Sequence, residues 1–209
     1  MNEIETLLEN NRRWSARMRE SDPDFFPHLA EGQAPRFLWI GCADSRVPGE
    51  RLVDLPPGGL FVHRNIANVV IPTDMSCMSV LQYAVDVLKV PHVILCGHYG
   101  CGGIQAALQR ESFGLIDTWL TAIKDLYHKH SDELDAIADP GARLDRMCEL
   151  NVHQQVANLC ATTIVQEAWR RGQALAVHGW IYSMADGLLR DMNLTFTGPE
   201  AIGPAFRVE

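Results

Sequence analysis

The sequence predicts an α/β protein with a mostly parallel central β-sheet flanked by helices. Three short apolar runs, which begin at Arg36, Gly59 and Pro91, have the length and composition of buried strands. Segments whose apolar residues recur at helical spacing follow the second and third runs. Strands that alternate with helices along a chain usually form a parallel sheet with the helices packed on its faces.

The N-terminal segment has the pattern of an amphipathic helix. Between residues 3 and 19, apolar side chains such as Ile4, Leu7 and Leu8 recur at near-helical spacing among charged residues. Two prolines in the following stretch, Pro23 and Pro27, break this pattern. We interpret residues 1–34 as a helical arm on an α/β core of residues 35–209, the whole forming a single domain.

The core alternates between strand and helix patterns. Asp74 is placed to cap a helix, and Asp139 followed by Pro140 is typical of a capped helix start. The strand predictions cover residues 36–41, 59–63, 91–97 and 174–182, the last as the final strand. The helix predictions cover residues 76–90, 104–110 and 140–172, the last with room for a break.

Composition excludes several classes of function. The chain has 209 residues, 47% of them hydrophobic, which is enough for a sizeable core. A net charge of −8 argues against nucleic-acid binding, because such affinity comes from clustered Lys and Arg. The N-terminus lacks a signal-peptide pattern, and no apolar run reaches the ~18 residues of a membrane span. We therefore expect a cytoplasmic protein with no membrane partner.

The six cysteines are expected to be reduced. Disulfide frameworks belong mainly to small secreted chains that cannot build a core, and this chain needs no such support. Each cysteine should then be buried, reactive or bound to a metal.

Three potential metal ligands follow two of the predicted strands. Cys42 comes directly after the first strand, and His98 and Cys101 follow the third within a glycine-rich turn. Ligands of open α/β sheets bind beyond the carboxyl ends of the strands, so these side chains should meet. A Cys2His set leaves the fourth zinc position open, as catalytic sites require. The alternative is that all three are ordinary buried residues.

An Asp-x-Arg pair stands beside the first of these ligands. Such a pair is usually a surface ion pair of little energetic value, but Asp44 and Arg46 follow Cys42 immediately. Asp44 could orient the nucleophile by accepting a hydrogen bond from it, with Arg46 holding the carboxylate. If that pairing were lost, Asp44 could reach the metal itself and block the open position.

Three motifs resemble those of the β-class carbonic anhydrases: CADSRVP at 42–48, FVHRNIAN at 61–68 and GHYGCGG at 97–103. The resemblance covers almost the whole chain. It implies one Zn2+ per subunit held by Cys42, His98 and Cys101, with Asp44 and Arg46 as the catalytic pair. The implied activity is reversible hydration of carbon dioxide to bicarbonate by attack of zinc-bound hydroxide.

The same resemblance implies a shared substrate pocket. Part of that pocket would come from a neighbouring subunit, so the protein should be a homodimer or a tetramer, with the N-terminal helix packed on the partner. The substrate-binding residues would be Gln33, Phe61, Val62, Tyr83 and Gly102.

A further likeness concerns regulation. A bacterial subgroup of the family binds a second, non-catalytic bicarbonate through a Trp, an Arg and a Tyr, and Trp39, Arg64 and Tyr182 look like that trio. The resemblance implies allosteric control by bicarbonate and pH, in which Asp44 becomes the fourth zinc ligand of an inactive state.

Two other functions are compatible with the same residues. One is a zinc hydrolase of a related small heterocumulene such as carbon disulfide. The other is a binding protein in which the zinc is purely structural. In that second case Asp44 would have no role in function.

Overall fold

The computed structural model describes residues 2–199 and 202–207. The chain divides into two compact units, an N-terminal unit that ends at Ala34 and a larger unit that starts at Pro35. Each unit is built from the elements that follow.

The N-terminal unit consists of helices α1 (Glu3–Ser21) and α2 (Phe25–Glu31). Asn2 and Glu5 form a reciprocal capping box at the start of α1. Trp14 packs edge-on against Phe26, with ring centroids 5.6 Å apart. The sequence did not predict α2. Its proline, Pro27, lies in the first turn, where a missing N–H breaks no helical hydrogen bond.

The larger unit is built on a five-stranded sheet in the order β2-β1-β3-β4-β5. The first four strands are parallel, and β5 runs antiparallel to β4 at the edge. This confirms the predicted fold class. The strands are β1 (Phe37–Cys42), β2 (Leu60–Asn65), β3 (His92–His98), β4 (Ala176–Ser183) and β5 (Leu188–Phe196).

The prediction that the chain's last strand ends near Tyr182 was wrong, because β5 follows it. Burial along β5 alternates between exposed and half-buried residues, as expected of an edge strand covered on one face. Arg190 and Asp191 interrupt the apolar pattern, and the pairing with β4 shifts register between Gly179 and Trp180. A strand of this kind has no continuous apolar run to identify it.

The described part of the larger unit has eight α-helices packed around the sheet. They are α3 (Gly49–Leu52), α4 (Met75–Gln82), α5 (Gly102–Leu108), α6 (Ile116–Trp119), α7 (Thr121–Lys129), α8 (Ser131–Asp135), α9 (Pro140–Ala161) and α10 (Thr163–Arg170). Asp74 caps α4 and Asp139 caps α9, as predicted. Thr162 separates α9 from α10, so the expected break is there. The helix predicted over 76–90 differs in detail, since α4 continues as a π-helical turn at Tyr83–Val87.

The two faces of the sheet carry different cores. On one face, aliphatic strand residues such as Leu38 and Leu95 pack against residues of α9 such as Val156. The other face holds a smaller cluster around Trp39 and Tyr182. Among the described residues, no helix is both long and apolar enough to cross a membrane. Since β1 and β3 are adjacent and parallel, their carboxyl ends meet at one edge of the sheet.

Candidate metal centre

The three predicted ligands meet at that edge. Cys42 is the last residue of β1, His98 is the last residue of β3, and Cys101 immediately precedes α5. The two sulfur atoms lie 3.9 Å apart, and the three ligand atoms all lie within 4.8 Å of one another. All three side chains are buried. The prediction that these three side chains meet is therefore confirmed.

His98 presents a free nitrogen to this cluster. Its Nδ1–H donates to the carbonyl oxygen of Tyr99 at 3.0 Å, which leaves the lone pair on Nε2. Nε2 is buried and has no hydrogen-bond partner among the described residues. Leaving a buried acceptor unpaired costs about 1–3 kcal/mol, a cost that a bound metal ion would remove.

The sulfur atoms of the two cysteines lie close enough for one thiol to donate a hydrogen bond to the other sulfur. The hydrogen bond from Cys101, together with nearby backbone N–H groups, lowers the pKa of Cys42 although burial opposes this. The same hydrogen bond and burial raise the pKa of Cys101. A second thiolate in this space needs a cation to offset the repulsion between the two sulfurs. Two thiolates and an imidazole in close contact fit Zn2+ well.

Asp44 lies beside the donor set and is held there by Arg46. The guanidinium donates to Oδ1 at 2.9 Å and to Oδ2 at 2.7 Å, and the Arg46 backbone N–H donates to Oδ1. These contacts hold the pKa of Asp44 well below its usual range. The carboxylate is therefore ionised. Its Oδ2 lies 3.9 Å from Nε2 of His98, at the rim of the ligand cluster.

Arg64 fixes the backbone of the same loop. From β2, its Nε donates to the carbonyl oxygen of Cys42 at 2.8 Å, and its second guanidinium nitrogen donates to that of Asp44 at 2.5 Å. The strand register places Trp39, Arg64 and Tyr182 on one face of the sheet. Gly41 leaves room for the indole, since a Cβ there would lie 2.5 Å from Nε1 of Trp39.

The residues predicted to bind substrate are distributed differently. Phe61 and Tyr83 stack with ring centroids 5.8 Å apart. Val62 points to the opposite face of β2, into the cluster around Trp39. Gly102 begins α5, with open space where a Cβ would be. Gln33 belongs to the N-terminal unit.

A second group with metal-binding side chains consists of His63, Asp74 and Cys77, whose ligand atoms also lie within 4.8 Å. Two hydrogen bonds with Val69 fix the side-chain amide of Asn65, so its Nδ2 donates to Nε2 of His63 at 3.2 Å. The other ring nitrogen of neutral His63 then carries the proton. Burial raises the pKa of Cys77 to about 12. This group therefore offers a metal neither a free imidazole nitrogen nor a thiolate.

Sequence reasoning missed the buried polar residues of α9 that lie behind the centre. Asn151 and Gln155 are both buried, at 0% and 1% exposure. In the sequence they are two polar residues on a helix, and helical polar residues usually face solvent.

Comparison with known proteins places this geometry in a family. Residues 37–189 match the family model described as carbonic anhydrase. A carbonic anhydrase of Emericella nidulans is 48% identical over 192 residues, covering 92% of this chain and 84% of that protein. A carbonic anhydrase of Saccharomyces cerevisiae is 34% identical over 202 residues, covering 93% and 90%.

Solved structures agree with the sequence comparison. A chain from the crystal structures of two tetrameric β-carbonic anhydrases of the filamentous ascomycete Sordaria macrospora superimposes with a TM-score of 0.90 and 41% identity. The match covers 94% of this chain and 100% of that one. These three relatives are fungal, so they do not support the likeness to a bacterial subgroup. The chain belongs to the β-class carbonic anhydrase family.

Proposed function

We propose that this chain is a zinc enzyme that catalyses the reversible hydration of carbon dioxide to bicarbonate and a proton. The observation that carries the proposal is the buried Cys2His donor set with an ionised carboxylate, Asp44, 3.9 Å from the free nitrogen of His98. A purely structural zinc site would normally be closed by a fourth protein ligand. Here Arg46 holds Asp44 in a bidentate pair instead.

When bound, zinc lowers the pKa of a coordinated water from about 15.7 to about 7 and so supplies a hydroxide nucleophile near neutral pH. The chain's own residues orient and protect this chemistry. Oδ1 of Asp44 accepts two hydrogen bonds from Arg46, whereas Oδ2 accepts one. Oδ2 therefore retains a lone pair with which it can accept a hydrogen bond and fix the direction of the donor. The Tyr99 carbonyl fixes the orientation of the His98 ring.

In this proposal the substrate pocket is lined by Phe61, Val62, Tyr83 and Gly102, some of them contributed by a neighbouring subunit. Carbon dioxide is small and apolar, so an apolar wall suits it. The Phe61–Tyr83 stack offers such a wall, and Tyr83 is 45% exposed in the isolated chain. Gln33 would donate a hydrogen bond to a substrate oxygen.

A homodimer or tetramer is part of the proposal. Ile4, Leu7 and Leu8 of α1 are more than half exposed, and they recur at the spacing of one helix face. Exposed apolar faces of this kind are typical of interfaces, and a partner subunit would cover this one. Light scattering should give the mass of a dimer or tetramer; a fully active monomer would contradict this. The six unpaired cysteines, all among the described residues, suit a reducing compartment such as the cytoplasm.

Stopped-flow measurement of carbon dioxide hydration with a pH indicator tests the proposed activity. Zinc-replete protein should catalyse hydration at neutral and mildly alkaline pH. Carbon disulfide hydrolysis, measured on the same sample, should be negligible. A zinc-replete sample that hydrolyses carbon disulfide but does not hydrate carbon dioxide would favour the alternative substrate.

Allosteric control by bicarbonate at Trp39, Arg64 and Tyr182 is a further part of the proposal. These residues share a sheet face, and Arg64 bonds directly to the carbonyl oxygens of Cys42 and Asp44. An anion that draws the guanidinium of Arg64 away from these carbonyl oxygens would free the loop that carries Cys42 and Asp44. Asp44 could then leave Arg46 and occupy the fourth zinc position.

Two mild substitutions should weaken inhibition by bicarbonate at lower pH. Trp39→Phe removes the indole N–H and Tyr182→Phe removes the hydroxyl, each with most of the ring retained. Losing one hydrogen bond to an anion costs about 1.5 kcal/mol, so the inhibitory concentration should rise roughly tenfold.

The matched control is Trp180→Phe. Trp180 packs against Trp39 on the same face, with ring centroids 6.5 Å apart. This variant should be inhibited like the wild type. If inhibition is unchanged in the Trp39 and Tyr182 variants as well, there is no bicarbonate site at this position.

A further inference from the structure

Helix α9 carries a ladder of polar side chains that faces the interior of the protein. Asn151, Gln155 and Asn158 are spaced by four and three residues, so they share one face of the helix. Asn151 and Gln155 are among the most buried polar residues of the described chain. Polar groups at this depth are destabilising unless they are hydrogen-bonded.

The ladder is bonded to one short segment, residues 67–70. Nδ2 of Asn151 donates to the carbonyl oxygen of Ala67, and Oδ1 accepts from Gln155, both at 2.9 Å. Oε1 of Gln155 accepts the backbone N–H of Val70, while Nδ2 of Asn158 donates to the Val70 carbonyl oxygen. Both ends of the segment are thus clamped to α9.

The clamped segment has a backbone conformation that is unfavourable by itself. Ala67 has φ +62° and Asn68 has φ +47°, both in the left-handed region, and neither is glycine. Such conformations cost roughly 1–3 kcal/mol each and persist only where the surroundings enforce them. The Asn151 bond to the Ala67 carbonyl is one of the contacts that enforce this turn.

This turn lies between the two loops that supply the metal ligands. On one side, Ala67 packs in the same buried cluster as Cys42. On the other side, Gly103 packs so closely that a Cβ there would lie 3.3 Å from Cβ of Ala67 and 2.7 Å from Cγ2 of Ile66. A shift of residues 67–70 would therefore displace both Cys42 and the backbone that follows Cys101.

We propose that Asn151 is a positioning residue of the metal centre, which acts through Ala67 to hold the Cys42 sulfur in place for the metal. This inference rests on the proposed zinc function. Asn151 touches neither substrate nor metal, so its effect is on the geometry and affinity of the metal site.

The test compares Asn151→Asp with Asn158→Asp. Asn151→Asp keeps the size and the acceptor for Gln155, but replaces the donor to Ala67 by an oxygen. Asn158→Asp removes the equivalent donor to Val70, which lies three residues after Ala67 in the chain. Zinc affinity is measured by competition with a chelator, and the Co2+ forms are compared by their sulfur-to-cobalt absorption bands.

Asn151→Asp should bind zinc about tenfold more weakly than wild type, as is typical when a residue that supports a metal ligand is lost. Its cobalt bands should shift. Asn158→Asp should lose comparable thermal stability, yet keep zinc affinity within about twofold and an unshifted spectrum. Asn151→Ser, which keeps one donor and leaves room for water, should fall between them.

Equal zinc affinity and equal spectra in all the variants would overturn the positioning role and leave Asn151 as a structural residue only. Failure of both Asn151 variants to fold, with a folded Asn158 variant, would also overturn it, because Asn151 would then be needed for the fold itself. Wild-type protein that binds no zinc would instead contradict the proposed function.

Discussion

Replacing Cys42 by serine should remove zinc from the chain and lower the rate of carbon dioxide hydration by roughly a thousandfold or more. A metal in this role supplies several kcal/mol of stabilisation, and each 1.4 kcal/mol corresponds to a factor of ten in rate. Cys42 is one of three ligand atoms within 4.8 Å of one another, and two ligands hold zinc far less tightly than three. Zinc content by elemental analysis and stopped-flow rates measure the effect.

Cys96→Ser is the matched control. Cys96 is as buried as Cys42 and lies on the neighbouring strand, but its thiol donates only to the Gly97 carbonyl oxygen. Burial raises the pKa of this thiol, so it is a neutral side chain at physiological pH. This variant should keep its zinc and most of its activity. Loss of zinc in both variants, or in neither, would contradict the ligand assignment.

The second large effect is expected for Asp44→Asn, which should keep zinc but lower the hydration rate by about 10²–10³-fold. The amide has the size of the carboxylate, but it lacks the charge that pairs with Arg46 and one of the two acceptor oxygens. Loss of a group that orients or stabilises the reacting atoms typically costs this much. The rate and the zinc content are measured on the same preparation.

Asp186→Asn serves as its control. Asp186 forms a similar pair with Arg190 on the surface, and that pair also lowers the pKa of Asp186, to about 2. Its removal should leave hydration unchanged. If Asp44→Asn is as active as this control, the zinc is structural and Asp44 has no catalytic part.

The sequence predicted the fold class and the meeting of Cys42, His98 and Cys101 because both depend on strong local signals. Continuous apolar runs identify the buried parallel strands β1 and β3, and the ligands Cys42 and His98 stand at their ends. The carboxyl ends of parallel strands meet at one edge of a sheet, so the pattern predicts that two loops distant in sequence lie close together.

The elements that were missed lack such signals. β5 is an edge strand with charged residues, and α2 carries a proline that is tolerated only because of its position in the first turn. The role of Asn151 depends on which residue its amide meets, Ala67, which is 84 positions earlier in the chain. No pattern within α9 contains that information.

In the proposed regulation, Arg46 and the zinc would compete for the carboxylate of Asp44. Asp44 is held by Arg46, while Arg64 holds the carbonyl oxygens of Cys42 and Asp44. Substitutions at Arg64 would therefore disturb the loop that carries Cys42 and Asp44 as well as any bicarbonate site. The side chains of Trp39 and Tyr182 lie in a buried apolar cluster and make no hydrogen bond to that loop among the described residues. Substitutions at these two positions therefore probe the bicarbonate site without releasing the loop.

Stepwise reconstitution with zinc tests the central claim most directly. The protein is stripped of metal with a chelator, zinc is returned in small portions, and the rate of carbon dioxide hydration is followed by stopped flow. The rate should rise in proportion to added zinc and level off at one zinc per chain. A metal-free chain that already hydrates carbon dioxide at full rate, or a chain saturated with zinc that does not, would contradict the account.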